Sequence, residues 1–183
     1  MHKDVEKVLV SEKELDEITT RLAAEIDRDY GRPDKNLVLV CILKGSLMFM
    51  SDLMKKITVP LEIDCMKVSS YGVGTVSSGS VNIILDLLRP DLPKCDVLII
   101  EDIVDSGSTL SYLTKYLENK GVRSVRTCTL LDKPSRRKVD YTPDYVGLEI
   151  PDEFVIGYGL DYAEKYRALP YVGVLSPKVY LGH

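Results

Sequence analysis

Histidine is almost missing from this chain. The two present, His2 and His183, stand at its extreme ends, where polypeptides are usually poorly ordered. Histidine general bases and histidine metal sites are therefore not expected. Any acid–base chemistry has to run on carboxylates, lysine or tyrosine. Cysteine is sparse too. Cys41, Cys65, Cys95 and Cys128 are widely spaced, and no two form a Cys-x-x-Cys pair. All four read as reduced thiols, which argues against a disulfide framework or a structural zinc. No apolar run approaches the ~20 residues of a membrane span, and the opening MHKDVEKVLV lacks the apolar core of a signal peptide. A cytoplasmic location with no membrane partner is the expectation. A basic excess is also absent: the formal net charge of −4 gives no support to a nucleic-acid partner.

What is present is ordinary globular material. The 183 residues are 45% hydrophobic and 28% charged, enough for one domain with a substantial core. The most informative stretch is VLIIEDIVDSGSTL, residues 97–110. Val97 to Ile100 read as a buried strand. Glu101 and Asp102 end it, and Asp105, Ser106, Gly107, Ser108 and Thr109 form a small hydroxylated turn. Leu110, Leu113 and Leu117 then fall at helical spacing. Free N–H groups in such a turn, added to the helix dipole, attract a phosphate. Gly107 allows close backbone approach, and the hydroxyls can donate to phosphate oxygens. The local grammar fits an ordinary strand and capped helix equally well.

The same grammar occurs earlier. Ser11-x-x-Glu14 is a capping box, followed by Leu15, Ile18, Leu22 and Ile26 on one helical face, with Gly31 and Pro33 ending the helix. Residues 36–43 are a second buried strand. Lys44, Gly45 and Ser46 follow, then a helix carrying Leu47, Met50, Leu53, Met54 and Ile57. The Lys-Gly turn reads either as a short connection or as a second anion loop. Residues 61–68 and 81–87 are strand-like. Residues 69–80, between them, hold five Ser and three Gly and can bury almost nothing, so they form a hairpin tip or a lid. Residues 124–131 are the next strand. Asp132, Lys133 and Pro134 end it, and Arg136, Arg137 and Lys138 read as a solvated charged turn. Residues 144–148 and 153–158 are two further short strands. Phe154, read alone, is a core aromatic. Buried strands alternating with helices imply an α/β fold with a parallel sheet and right-handed crossovers.

Four strings, in order, resemble the type I phosphoribosyltransferases. Glu101-Asp102-Ile103-Val104-Asp105-Ser106-Gly107 resembles the family's phosphoribosyl-pyrophosphate (PRPP) signature, in the form of the 6-oxopurine branch. Leu43-Lys44-Gly45, Ser69-Ser70-Tyr71-Gly72 and PDEFVIGYGLDYAEKYR (151–167) resemble its pyrophosphate loop, flexible loop and C-terminal signature. The resemblance spans nearly the whole chain. It implies one domain over 1–183, a mainly parallel twisted sheet flanked by helices, a lid at 69–80 and a small hood drawn from 144–183 with the N-terminus.

The implied reaction moves the phosphoribosyl group of PRPP to hypoxanthine or guanine. Glu101, Asp102, Asp105, Ser106, Gly107, Ser108 and Thr109 would bind PRPP. Lys44, Gly45, Arg167, Ser70 and Tyr71 would meet the pyrophosphate, with a cis peptide at Leu43–Lys44. Lys133 would donate to the purine's exocyclic oxygen, Phe154 would stack on the base, and Val155 and Asp161 would lie near it. Glu101, Asp102 and Asp161 would help hold Mg²⁺. Asp105 would be the catalytic base, set against N7. Family members assemble as dimers or tetramers, so a homodimer or homotetramer is implied. Asn82 stands where a lysine is expected and takes no role. Two rival readings remain: a phosphoribosyltransferase-fold RNA-binding regulator, and a xanthine-preferring transferase.

Overall fold

The computed structural model describes residues 1–70 and 81–181. Residues 71–80 of the expected lid, Tyr71 among them, lie outside these, as does His183. The capping box forms as the sequence predicts: Ser11 Oγ accepts the Glu14 N–H at 3.3 Å, and the Glu14 carboxylate accepts the Ser11 N–H at 2.8 Å. Helix α1, Glu12–Tyr30, buries Leu15, Thr19, Leu22, Ala23, Ile26 and Tyr30 along one stripe.

Six strands form the main sheet. In chain order they are β2 (Leu37–Leu43), β3 (Leu61–Ser70), β4 (Val81–Leu85), β5 (Asp96–Val104), β6 (Ser124–Asp132) and β7 (Tyr145–Glu149). A short strand β1, Val5–Val10, precedes them outside this sheet. The spatial order is β4-β3-β2-β5-β6-β7, parallel except for the antiparallel β3–β4 pair. The central strands are covered on both faces. Leu37, Leu39 and Cys41 of β2 pack with Leu22 and Ile26 of α1 and with Phe49 and Leu53 of α2 (Leu47–Met54). Val38, Val40 and Ile42 point the other way, toward Leu110, Leu113 and Leu117 of α3 (Ser108–Asn119). That period-2 division is why these strands read as continuous apolar runs.

A second sheet is antiparallel, in the order β1-β9-β8, with β8 at Val155–Ile156 and β9 at Val172–Leu175. Neither β1 nor β9 was expected from the sequence, since both are short. A terminal turn, α4 (Pro177–Tyr180), follows β9. Three other readings change. The β5 ladder does not stop at Glu101–Asp102, because Ile103 pairs Leu131 and Val104 pairs Asp132. Helix α2 ends before Ile57. His2 is not loose: its N–H donates to Tyr171 Oη at 2.8 Å and its ring meets Tyr166 edge-on. All four thiols are free. No described helix is long and apolar enough to cross a membrane.

One ion cluster closes the sheet's amino-terminal end. The Asp96 side chain is fully buried and receives Arg123, the Ser124 hydroxyl (2.6 Å) and the Asn36 N–H (3.0 Å). Burial pushes its carboxyl pKa up, but these donors, with nearby Lys35, outweigh burial and hold it at about 2. A depressed carboxylate stabilises the fold above its unfolded pKa near 4, and that contribution disappears as the pH falls through about 2. Asp96→Asn should therefore cost on the order of 2 kcal/mol at pH 7. Urea unfolding at pH 7 and at pH 2.5 should show the gap from wild type shrinking. An equal gap at both pH values would exclude this ion cluster as its origin.

Candidate active site

Between β2 and β5 the strand order reverses: the chain leaves β2 outward through β3 and β4, then returns to β2's other side with β5. Open parallel sheets bind ligands at such a point, beyond the carboxyl ends of the strands. The Lys44-Gly45 turn follows β2, and the 105–109 turn follows β5.

Beyond β5 lies a cavity of about 230 Å³, lined by residues 101–107 with Thr109 and Leu110. Gly107 caps α3 with φ +78°, a left-handed conformation that glycine adopts without strain. A side chain there would also press on Arg137 and Tyr141. Ser106 Oγ accepts the Ser108 N–H at 3.2 Å. Of the seven residues expected to bind PRPP, all but Ser108 line this space.

A larger cavity of about 530 Å³ adjoins it and shares Asp102, Ile103 and Asp105. Its other walls include Lys133, Asp152, Phe154, Val155, Asp161 and Tyr180. Phe154 is not the core aromatic that its residue type suggests. It is 42% exposed and stacked on Tyr180, with centroids 5.4 Å apart. The Lys133 side chain is only 6% exposed. Its Nζ donates to Glu153 O at 2.8 Å and stands 3.7 Å from Asp105 and 4.0 Å from Asp152. Asp105 is half exposed, so its carboxylate is available at the junction of the two cavities.

Glu101 and Asp102 are partly shielded neighbours. Burial and repulsion from Asp102 raise the Glu101 carboxyl pKa well above the usual range. Burial raises that of Asp102 as well, against opposing hydrogen bonds from Glu101 and the Ile103 N–H. A pair that resists ionising is suited to an incoming cation. Of the three carboxylates expected to help hold Mg²⁺, Glu101 and Asp102 are neighbours on β5. Among the described residues no three His, Cys, Asp or Glu side chains converge to hold a metal. Asp161 binds Arg167 at 2.9 Å and the Glu164 N–H at 2.8 Å instead. Glu101 and Asp102 still fit Mg²⁺, which is typically held by one or two carboxylates and completed by phosphate oxygens and water.

Of the residues expected to meet pyrophosphate, Lys44, Gly45 and Arg167 come together. The Leu43–Lys44 peptide is cis, as expected. A methyl on Gly45 would overlap Asp102 Oδ2, and one on Gly159 would overlap Gly45 O. The 157–167 segment therefore packs directly on the Lys-Gly turn. Arg167 donates to Gly159 O at 2.7 Å, while its Nε is buried with no partner among the described residues. Ser70 ends β3 through its backbone.

Two contributors were not legible in the sequence. Arg137, read as solvated, is mostly buried and forks between both Asp132 oxygens (2.7 and 2.9 Å) and Asp105 O (2.9 Å), so it braces the loop carrying Asp105. Glu164 bridges Lys44 and Arg167, the two cations expected to meet pyrophosphate. No local pattern distinguishes either residue from a surface charge.

The chain is similar to known proteins over nearly its whole length. Residues 8–163 match the phosphoribosyl transferase domain. The hypoxanthine-guanine phosphoribosyltransferase of Bacillus subtilis is 53% identical over 180 residues, covering 98% of both chains. That of Staphylococcus aureus is 54% identical over 181 residues. The bifunctional TilS/HprT protein of Listeria monocytogenes is 52% identical, but the chain spans only 27% of its length. A crystal structure of Staphylococcus aureus hypoxanthine phosphoribosyltransferase superposes with a TM-score of 0.92 at 53% identity, covering 98% of this chain and 96% of the other. A structure of the Trypanosoma cruzi enzyme gives 0.92 at 41% identity. With the domain match covering most of its length and these relatives covering nearly all of it, the chain belongs to the phosphoribosyltransferase family, in its hypoxanthine-guanine branch.

Proposed function

We propose that this protein is a purine salvage enzyme that transfers the 5-phosphoribosyl group of PRPP to hypoxanthine or guanine, releasing pyrophosphate and IMP or GMP. The observation carrying this is the junction of the two cavities. One is a glycine-capped helix start suited to a phosphate, the other holds a buried lysine beside an exposed aromatic, and Asp105 belongs to both.

The 105–109 turn and the start of α3 grip the 5-phosphate, and Glu101 and Asp102 accept from the ribose hydroxyls. Lys44, the Gly45 backbone and Arg167 hold the diphosphate, Arg167 through its planar fork of donors. Mg²⁺ at the Glu101–Asp102 pair neutralises diphosphate charge when bound. The base stacks on Phe154, its 6-oxo group accepts from Lys133, and the Val155 backbone meets its edge. As the base's nitrogen bonds to C1 of the ribose and the C1–diphosphate bond breaks, Asp105 takes the proton from N7. Holding both partners at one junction supplies the orientation the displacement needs. Residues 69–80, with Ser70 and Tyr71, complete the site as a water-excluding cover. A cytoplasmic homodimer or homotetramer belongs to the same reading.

Purified protein given PRPP, Mg²⁺ and each purine in turn should make nucleotide from hypoxanthine and guanine and little from adenine. Chelating the Mg²⁺ should abolish turnover. Absence of product from every purine would overturn the reading. Faster turnover of xanthine than of either substrate would move the assignment to the xanthine-preferring alternative.

A further inference from the structure

Glu164 lies outside both cavities, yet it joins the two cations that face the leaving group. Its carboxylate accepts from Lys44 Nζ at 2.7 Å through one oxygen and lies 3.4 Å from Arg167 Nη2 through the other. Lys44 follows β2 and Arg167 ends the 157–167 segment, so one anion spans two remote parts of the chain. The local backbone is built to present it. Ala163, Glu164 and Tyr166 all take left-handed conformations (φ +51°, +66° and +75°), which non-glycine residues seldom adopt. Asp161 Oδ2 fixes the turn by accepting the Glu164 N–H. Lys44 holds the Glu164 carboxyl pKa below its usual value, so the group is charged near neutrality.

The geometry points to Glu164 as an internal stand-in for the leaving diphosphate: it occupies Lys44 and Arg167 while the site is empty and competes with pyrophosphate for them. This rests on the reading of Lys44 and Arg167 as diphosphate ligands. The strengths are ordered correctly for such a role. The Lys44–Glu164 pair is exposed on both sides, and exposed pairs contribute little. A diphosphate carries more charge than one carboxylate, so it outcompetes Glu164 for the two cations. Substrate therefore opens the bridge, and its reclosure helps to expel the product.

The direction of the effect separates this role from a merely structural one. If Glu164 only positioned Lys44 and Arg167, removing its charge would loosen them and weaken pyrophosphate binding. If it competes, removal strengthens binding. The probe is inorganic pyrophosphate with Mg²⁺, followed by calorimetry and by product inhibition of the forward reaction. Glu164→Gln should bind pyrophosphate about two- to five-fold more tightly at low salt, and the gain should fade at high ionic strength. Its kcat should fall if pyrophosphate departure limits turnover. Glu164→Asp, which keeps the charge, should lie closer to wild type. Glu164→Ala provides a second charge-free variant, with thermal unfolding checking that each is folded. Equal or weaker pyrophosphate binding in both charge-free variants overturns the inference. A wild-type protein that binds no pyrophosphate and makes no nucleotide would instead refute the transferase reading beneath it.

Discussion

Asp105→Asn should lower kcat by roughly 10²–10³, the scale of general-base losses, with little change in KM for either substrate. The half-exposed carboxylate faces both cavities. Its loop is braced from behind by Arg137, which binds Asp105 O, and by the Lys138 N–H, which donates to Ser106 O at 2.9 Å. Asparagine fits the same space and leaves those braces intact, but it cannot take up a proton. The loss should therefore appear in turnover rather than binding. Lys133 Nζ stands 3.7 Å from the Asp105 carboxylate. Undiminished turnover with both substrates saturating would remove Asp105 from the role.

The second large effect is expected at Lys133. An ammonium has three donors and no acceptor. One donor is committed to Glu153 O, leaving others for a 6-oxo group. The 6-amino group of adenine offers a donor to a donor, and a buried mismatch of that kind is heavily penalised. Lys133→Met keeps the length and apolar stem but removes the donors. The kcat/KM for hypoxanthine and guanine should fall by about 10²–10³, while the low value for adenine should hold or rise. The quantity to measure is the ratio of the two. A variant that still prefers 6-oxopurines at the wild-type ratio would show that selection is made elsewhere in the cavity. The removed ammonium also faces Asp152 and Asp105, so a modest change in stability should accompany the loss. The ratio is insensitive to that change because both substrates see the same folded fraction.

Much of this site was legible because its parts lie in short contiguous strings. Residues 101–109 announce a strand, an acidic pair and a small hydroxylated turn through composition, their resemblance to the PRPP signature adds the role, and the structure places all but one of the expected PRPP residues around one cavity. What misled was local in the same way. The end of β5 was drawn at its first charges, since carboxylates usually mark the end of a buried strand. The ladder continues to Val104 because β6 supplies partners on that side. Arg137 reads as one of three solvated cations, and only the pairing of β6 beside β5 brings Asp105 O within its reach. The Asp161–Arg167 pair, too, is visible only in the folded chain.

By itself the sequence determined the alternation of buried strands and helices, the α1 cap, the two strand–turn–helix junctions and the residue types gathered at them. Periodicity, capping and turn composition act over a few residues and are written in chain order. The tertiary structure alone decided that Lys44, Glu164 and Arg167 share one charge network, that β1 joins the strands near the C-terminus, and that Asp105 stands where two cavities meet. Such contacts pair residues many positions apart, and their free energy depends on burial and separation, which exist only once the sheet has assembled.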